Sequence, residues 1–169
     1  MSKIKKLTIF IVGMMGTGKT TVGTLLAQKL NYNFIDTDKL IETKMQKSIN
    51  HIFDLYGEEY FRNLENRILD KVPLKNTVIS TGGGFPIYNN NMDKLLTLGK
   101  VIYLKSSSLE IYNRLKDSKN RPLHDGTITK INQMLESRKH IYSSANFEIE
   151  CDKKLTHEVI TEIIEKISQ

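Results

Sequence analysis

Cysteine is almost missing from this chain of 169 residues. The single one, Cys151, closes the apolar alternation Phe147-Glu148-Ile149-Glu150-Cys151. One thiol cannot form an intrachain disulfide, and no Cys/His set has zinc spacing, so a stapled scaffold and a structural zinc site are both excluded. A packed core thiol is expected, which suits a reducing cytoplasm. Proline is scarce at 3 and tryptophan absent. No Pro/Gly/Ser-rich linker, internal repeat or low-complexity tract divides the chain, so residues 1–169 are expected to form one domain. No apolar run is long enough to span a membrane. Lys3, Lys5 and Lys6 before an apolar run superficially imitate an export signal, but no small-residue cleavage site follows, and neither export nor membrane insertion is expected. The excess of 25 Lys+Arg over 19 Asp+Glu leaves a charge of +6. These cations are scattered among acids, with no basic stripe interleaved with aromatics, so no nucleic-acid partner is expected. The excess reads as solvated surface plus a field attractive to anions.

What the chain does have is a continuous run of structure-specifying signals from Leu7 to Thr21, LTIFIVGMMGTGKTT. Leu7 to Val12 read as a buried strand. Gly13 to Thr20 match G-x-x-x-x-G-K-[ST] in full, and from Lys19 the apolar residues Val22, Leu25, Leu26 and Leu30 recur at helical spacing. Glycines in such a loop let consecutive backbone N–H groups turn inward toward a polyphosphate. The following helix adds unpaired N–H groups and the positive end of its dipole. Lys19 would reach the β- and γ-phosphates and the Thr20 hydroxyl would take a position on Mg²⁺. ATP binding is therefore predicted, with Gly16, Thr17, Gly18, Lys19, Thr20 and Thr21 as the contact residues.

Further along, strands are predicted at Asn33–Asp36, Thr77–Ser80, Val101–Leu104 and Phe147–Cys151. Helices are predicted at Lys39–Met45, at Ile49–Tyr56 with Ser48 as N-cap and Gly57 as stop, and at Glu58–Lys71. Others follow at Met92–Leu98, Leu109–Lys116, Ile128–Ile141 and His157–Ile167. The breaker-rich segment Ser118 to Gly126 is the best candidate for a mobile loop. Strict alternation of strands and helices argues for an α/β three-layer sandwich, a five-stranded parallel sheet with helices on both faces, of the P-loop kinase type. Ligands of such sheets lie beyond the carboxyl ends of the strands. Gly13–Thr20, Asp36–Asp38 and Gly82–Gly84 would therefore share one edge.

Several candidate residues have two readings. Asp36 ends the second strand and could serve Mg²⁺ directly or through water, or cap the next helix, a task open equally to Asp38. Arg62 lies four after Glu58 and three before Glu65, so a helix-surface ion pair would account for it. Arg138 follows Glu136 on a solvent-rich helix. Arg121, in the candidate mobile loop, is either plain surface or the cation that phosphoryl transfer needs on closure. Met14, Met15 and the four His residues are assigned packing or surface roles.

Six blocks in order, GMMGTGKTTVG, FIDTD with Ile41-Glu42, SINHIF with GEEYFRNLE, ISTGGG, NRPL and SRKHIY, resemble the shikimate kinases over nearly the whole chain. The resemblance implies a nucleoside-monophosphate-kinase type of fold and transfer of the ATP γ-phosphate to the 3-hydroxyl of shikimate. It implies Asp38 on the ring hydroxyls and as base, Arg62 and Arg138 on the substrate carboxylate, and Gly83 approaching the substrate. Phe53 and Phe61 would pack on the ring, Arg121 would be the lid arginine on ATP, and Thr20 with Asp36 would serve Mg²⁺. An acceptor-binding helical region of about 37–72, a lid of about 117–128 and a cytoplasmic monomer belong to the same expectation. Two departures stand out: Gln46 where the family often has Gly, and a poor match over Asp152–Thr156, the segment expected near adenine. The alternatives are a kinase acting on gluconate or a nucleoside monophosphate, or a nucleotide-binding module without turnover.

Overall fold

A computed structural model describes residues 7–116 and 127–169. Five strands, β1 (Thr8–Val12), β2 (Asn33–Asp36), β3 (Thr77–Ser80), β4 (Lys100–Lys105) and β5 (Phe147–Glu150), form one sheet in the order β2-β3-β1-β4-β5. All four pairings are parallel, with Phe10 level with Ile79 on one side of β1 and Val101 on the other. Because β1 is central, both of its faces are apolar and all five residues are buried. Phe10 and Val12 point into one core with Ile79, Val101, Tyr103, Leu95 and Tyr142. Ile9 and Ile11 point into the other, with Leu26, Leu104, Val159 and Ile163.

The helices are α1 (Lys19–Leu30), α2 (Thr37–Met45), α3 (Ile49–Leu69), α4 (Asn91–Leu98), α5 (Ser108–Leu115), α6 (Ile128–Tyr142) and α7 (Thr156–Ile167). α1 and α7 cover one face of the sheet; α4, α5 and α6 cover the other. The expected three-layer architecture is therefore present, and no strand end differs from expectation by more than one residue. Cys151 falls just beyond β5, although its N–H still donates to Lys105 O at 2.8 Å. Its thiol is buried, and burial pushes its pKa up to about 11, as befits an inert core group.

α2 and α3 build a third, smaller core from Ile41, Ile52, Phe61 and Ile68 beside the sheet. Ser48 caps α3 by accepting from His51 N at 3.2 Å, as the sequence predicts. Gly57, non-helical at φ 79 and ψ 172, divides this span into two helical segments at the place where the sequence predicts a stop. Gln46 closes α2 in the left-handed region at φ 51, a position glycine occupies without penalty. A short 3₁₀ turn at Phe85–Ile87 was not expected; Pro86 at its start hides it inside a stretch that reads as polar loop.

Candidate active site

The loop after β1 turns directly into α1, whose N-cap is Gly18 at φ 88 with no side chain closing the first turn. The N–H groups of that turn are thus left for a ligand. Lys19 is only 8% exposed, and its Nζ donates to Met14 O at 2.8 Å. The Thr17 hydroxyl donates to the same carbonyl at 2.8 Å. Thr20 Oγ1 donates to Asp36 Oδ2 at 2.6 Å, while Asp36 Oδ1 accepts from Lys39 N at 3.2 Å. The two readings of Asp36 are therefore compatible: one oxygen caps α2 and the other faces the loop threonine. Asp38 is the second residue of α2 and not its cap. Thr21 is exposed on the first turn of α1. Arg114 on α5, unremarked in the sequence, reaches the loop and donates to Gly16 O at 3.4 Å.

A second cluster adjoins this loop. Arg62 and Glu65 on α3 are 8% and 1% exposed, so their ion pair is an internal one and not the surface pair that spacing alone suggests. Arg62 Nη1 meets Glu65 Oε2 at 2.7 Å, and Nη2 meets Glu58 Oε1 at 3.0 Å. The guanidinium also lies 5.9 Å and 5.3 Å from the ring centres of Phe53 and Phe61, which pack on each other at 4.6 Å. Burial works against the Arg62 cation, but the two glutamates outweigh it and raise its pKa. Burial pushes the Glu65 carboxyl up to about 7, with Arg62 opposing and Asp38 and Glu58 adding to the rise.

The glycines after β3 allow these groups to converge. A Cβ on Gly82 would lie 2.8 Å from both Asp38 Oδ1 and Glu65 Oε1, and one on Gly84 would run into the Arg62 guanidinium. Gly83 backs onto the phosphate loop instead: a Cβ there would be 3.1 Å from Gly13 O and 3.4 Å from Met15 N. Its carbonyl accepts from the Tyr142 hydroxyl at 2.6 Å, and Tyr142 stacks on Tyr103 with ring centres 4.9 Å apart. Burial raises the Tyr142 pKa, opposed by Arg138 and Arg62. Arg138 on α6 is half-buried and donates from Nη1 to Met14 Sδ at 3.4 Å.

Lys19, Thr20, Asp36, Asp38, Arg62, Gly83, Arg138, Phe53 and Phe61 are thus brought to one region at the carboxyl edge of the sheet. Arg121 and most of the candidate lid lie outside the described residues; only its end is seen, where Thr127 caps α6 by accepting from Lys130 N at 3.3 Å. Besides Arg114, three participants are not evident from the sequence. Glu65 was read only as an ion-pair partner, Tyr142 went unremarked, and Met14 was read as packing although its carbonyl and sulfur touch Lys19 and Arg138. Burial gives these residues their roles, and burial is a tertiary property. A cavity of about 420 Å³ opens on the other flank of Asp36 between Phe34, Leu40, Val72 and three lysines. The site is thus marked by converging side chains and not by void volume.

A glycine loop cradling a buried lysine at the end of the central parallel strand, with a charged cluster beside it, defines a P-loop phosphotransferase. Comparison with known proteins narrows this. The family model described as shikimate kinase matches residues 15–168. A shikimate kinase of Sulfurihydrogenibium sp. is 44% identical over 162 residues, covering 95% of this chain and 98% of that protein. Solved structures of the shikimate kinases of Bacteroides thetaiotaomicron and of Acinetobacter baumannii, the latter in complex with shikimate, each superpose with a TM-score of 0.89 over 96% of this chain. They cover 99% and 93% of those chains at 33% and 34% identity. The chain belongs to the shikimate kinase family, and it is a kinase.

Proposed function

We propose that this chain moves the γ-phosphoryl group of ATP to the 3-hydroxyl of shikimate, giving ADP and shikimate 3-phosphate, as a cytoplasmic monomer. The bond from the γ-phosphorus to the ADP oxygen breaks, the bond to the hydroxyl oxygen forms, and Asp38 accepts the hydroxyl proton. Arg62 and Arg138 grip the ring carboxylate, for which planar forked cations are suited. Phe53 and Phe61 wall the ring, the phosphate loop with Lys19 holds the polyphosphate, and Gly83 brings backbone to the acceptor. Residues 37–72 are the acceptor-binding region. Among the described residues, no helix is long and apolar enough to cross a membrane.

Thr20 and Asp36 fit Mg²⁺, since a hydroxyl and a carboxylate 2.6 Å apart are hard oxygen donors. Among the described residues no group of three or more His, Cys, Asp or Glu could cage a metal, and Mg²⁺ commonly takes only one or two protein oxygens beside water and phosphate. When bound, the ion would neutralise phosphate charge.

One observation supports this reading above the others. The polyphosphate grip and the carboxylate grip share a wall: Met14 touches Lys19 through its carbonyl and Arg138 through its sulfur, and Gly83 packs against the same loop. A γ-phosphate and an acceptor hydroxyl would meet across that wall. A coupled ADP-release assay with shikimate, gluconate and the nucleoside monophosphates tests it. Shikimate should stimulate release well above the others; intact ATP binding with no shikimate-dependent turnover would defeat the assignment.

A further inference from the structure

Glu65 is not needed for any step above, yet it is the most deeply buried carboxyl beside the acceptor-binding groups. Oε2 accepts from Arg62 Nη1 at 2.7 Å. Oε1 is buried and accepts no hydrogen bond, and it points to the place beside Gly82 that Asp38 Oδ1 also approaches. Such an oxygen is costly as part of an anion and inexpensive as the carrier of a proton.

Arg62 has one charge and a fork whose two arms are already taken. Glu65 holds the inner arm; Glu58, whose side chain is 63% exposed, holds the outer one at 3.0 and 3.3 Å. An incoming carboxylate can displace Glu58 at little cost, because that side chain returns to water. Glu65 has no such exit. Once the acceptor is seated, one guanidinium serves two anions in a site from which water has been expelled. Among the described residues, the charged or titratable groups that face Glu65 are Arg62 and Glu58 on α3 and Asp38 on α2. Arg138 and Tyr142 on α6 stand farther out, beside Arg62. Gly82, which lies over Glu65 Oε1, contributes no ionisable side chain. With Glu65 and an acceptor carboxylate both ionised, two negative charges would share the single charge of Arg62. One added proton restores the balance.

We propose that Glu65 takes up a proton from solvent when a carboxylate-bearing acceptor binds Arg62, so that acceptor binding is proton-linked. The inference rests on the acceptor assignment made above. The empty site is already poised for this, since burial places the Glu65 carboxyl at about 7 before any second anion arrives. The proton adds to Oε1, and the resulting O–H faces the Asp38 carboxylate side of Gly82.

Isothermal titration of the enzyme with shikimate at pH 7.5, repeated in phosphate and in Tris, reads proton uptake from the difference in heats. The expected uptake is about half a proton or more per shikimate, and affinity should fall as pH rises through the window above 7. The uncharged methyl ester of shikimate should bind without uptake. Glu65→Gln should bind shikimate with no uptake and a flat pH profile. Heats that do not depend on buffer in the unaltered enzyme would overturn the proposal, as would full uptake persisting in Glu65→Gln. If the variant fails to bind, the unaltered enzyme's heats and pH profile still decide. Failure of the unaltered enzyme to bind shikimate at all would instead overturn the acceptor assignment.

Discussion

The phosphate loop and the arginine–carboxylate cluster stand side by side on one edge of the sheet, yet they are built by different means. The loop is eight consecutive residues whose tools are backbone N–H groups and a single lysine, which donates to the Met14 carbonyl. The cluster takes side chains from α2, α3 and α6 and close backbone approach from the glycines after β3. It carries buried charges that survive only because they neutralise one another. Neutral backbone donors ask little of their surroundings. Buried ions ask a great deal, so the acceptor side should be the more fragile and the more sensitive to pH.

That contrast can be broken or sharpened by experiment. The largest effect is expected on the phosphate side. Lys19→Ala should lower kcat by about a thousandfold while leaving the fold intact, because it removes charge that matters most in the transition state. Steady-state kinetics with thermal melts would check it, and a loss of stability matching the loss of rate would erase the distinction between the two sides.

On the acceptor side both quantities should move. Arg62→Ala strands Glu65 in a low-dielectric pocket, which should cost about 3 kcal/mol of stability. It should also weaken shikimate binding on the order of a hundredfold, with ATP binding nearly unchanged. Equal weakening of both ligands in a calorimetric titration would return Arg62 to the role of a structural ion pair.

The pH dependence of folding gives a third comparison. Glu65 has a folded value of about 7 against an ordinary 4.5, so between these limits the native state holds a proton that the unfolded chain has released. Its contribution is therefore greatest below that window and is lost as pH rises through it, by at most about 3 kcal/mol. Urea unfolding from pH 4.5 to 8 should show this decline, and Glu65→Gln should lack it. A decline of the same size in the variant would assign the effect elsewhere.

The smallest effect concerns the support of the cluster. Gln46→Gly relieves a left-handed residue at the end of α2 and should stabilise the protein by about 0.5–1 kcal/mol without changing kcat. A loss of stability would mean that the Gln46 side chain contributes packing that its backbone conformation conceals.

Much of this was legible beforehand, and unevenly so. The alternation of strands and helices, the Ser48 cap and the position of Gly57 depend on neighbours a few residues away, and spacing reveals them. The left-handed Gln46 was visible only as an unusual residue at a glycine-like position. The short turn at Phe85–Ile87 was hidden by its proline and polar followers. Arg62 is the instructive case: its spacing to Glu58 and Glu65 correctly names its partners and wrongly suggests solvent, because helical periodicity does not say what lies across from a helix face.

By itself the sequence determined the phosphate loop, the order of the layers and the residue types available to a carboxylated acceptor, since each follows from local chain geometry. Only the tertiary structure decided that Asp36 both caps α2 and meets Thr20, and that Met14 and Gly83 join the two grips. It alone decided that Glu65 is sealed in beside Gly82. The reason is physical: what a charge costs, and whether it keeps its proton, depends on the groups packed around it, and those come from distant parts of the chain.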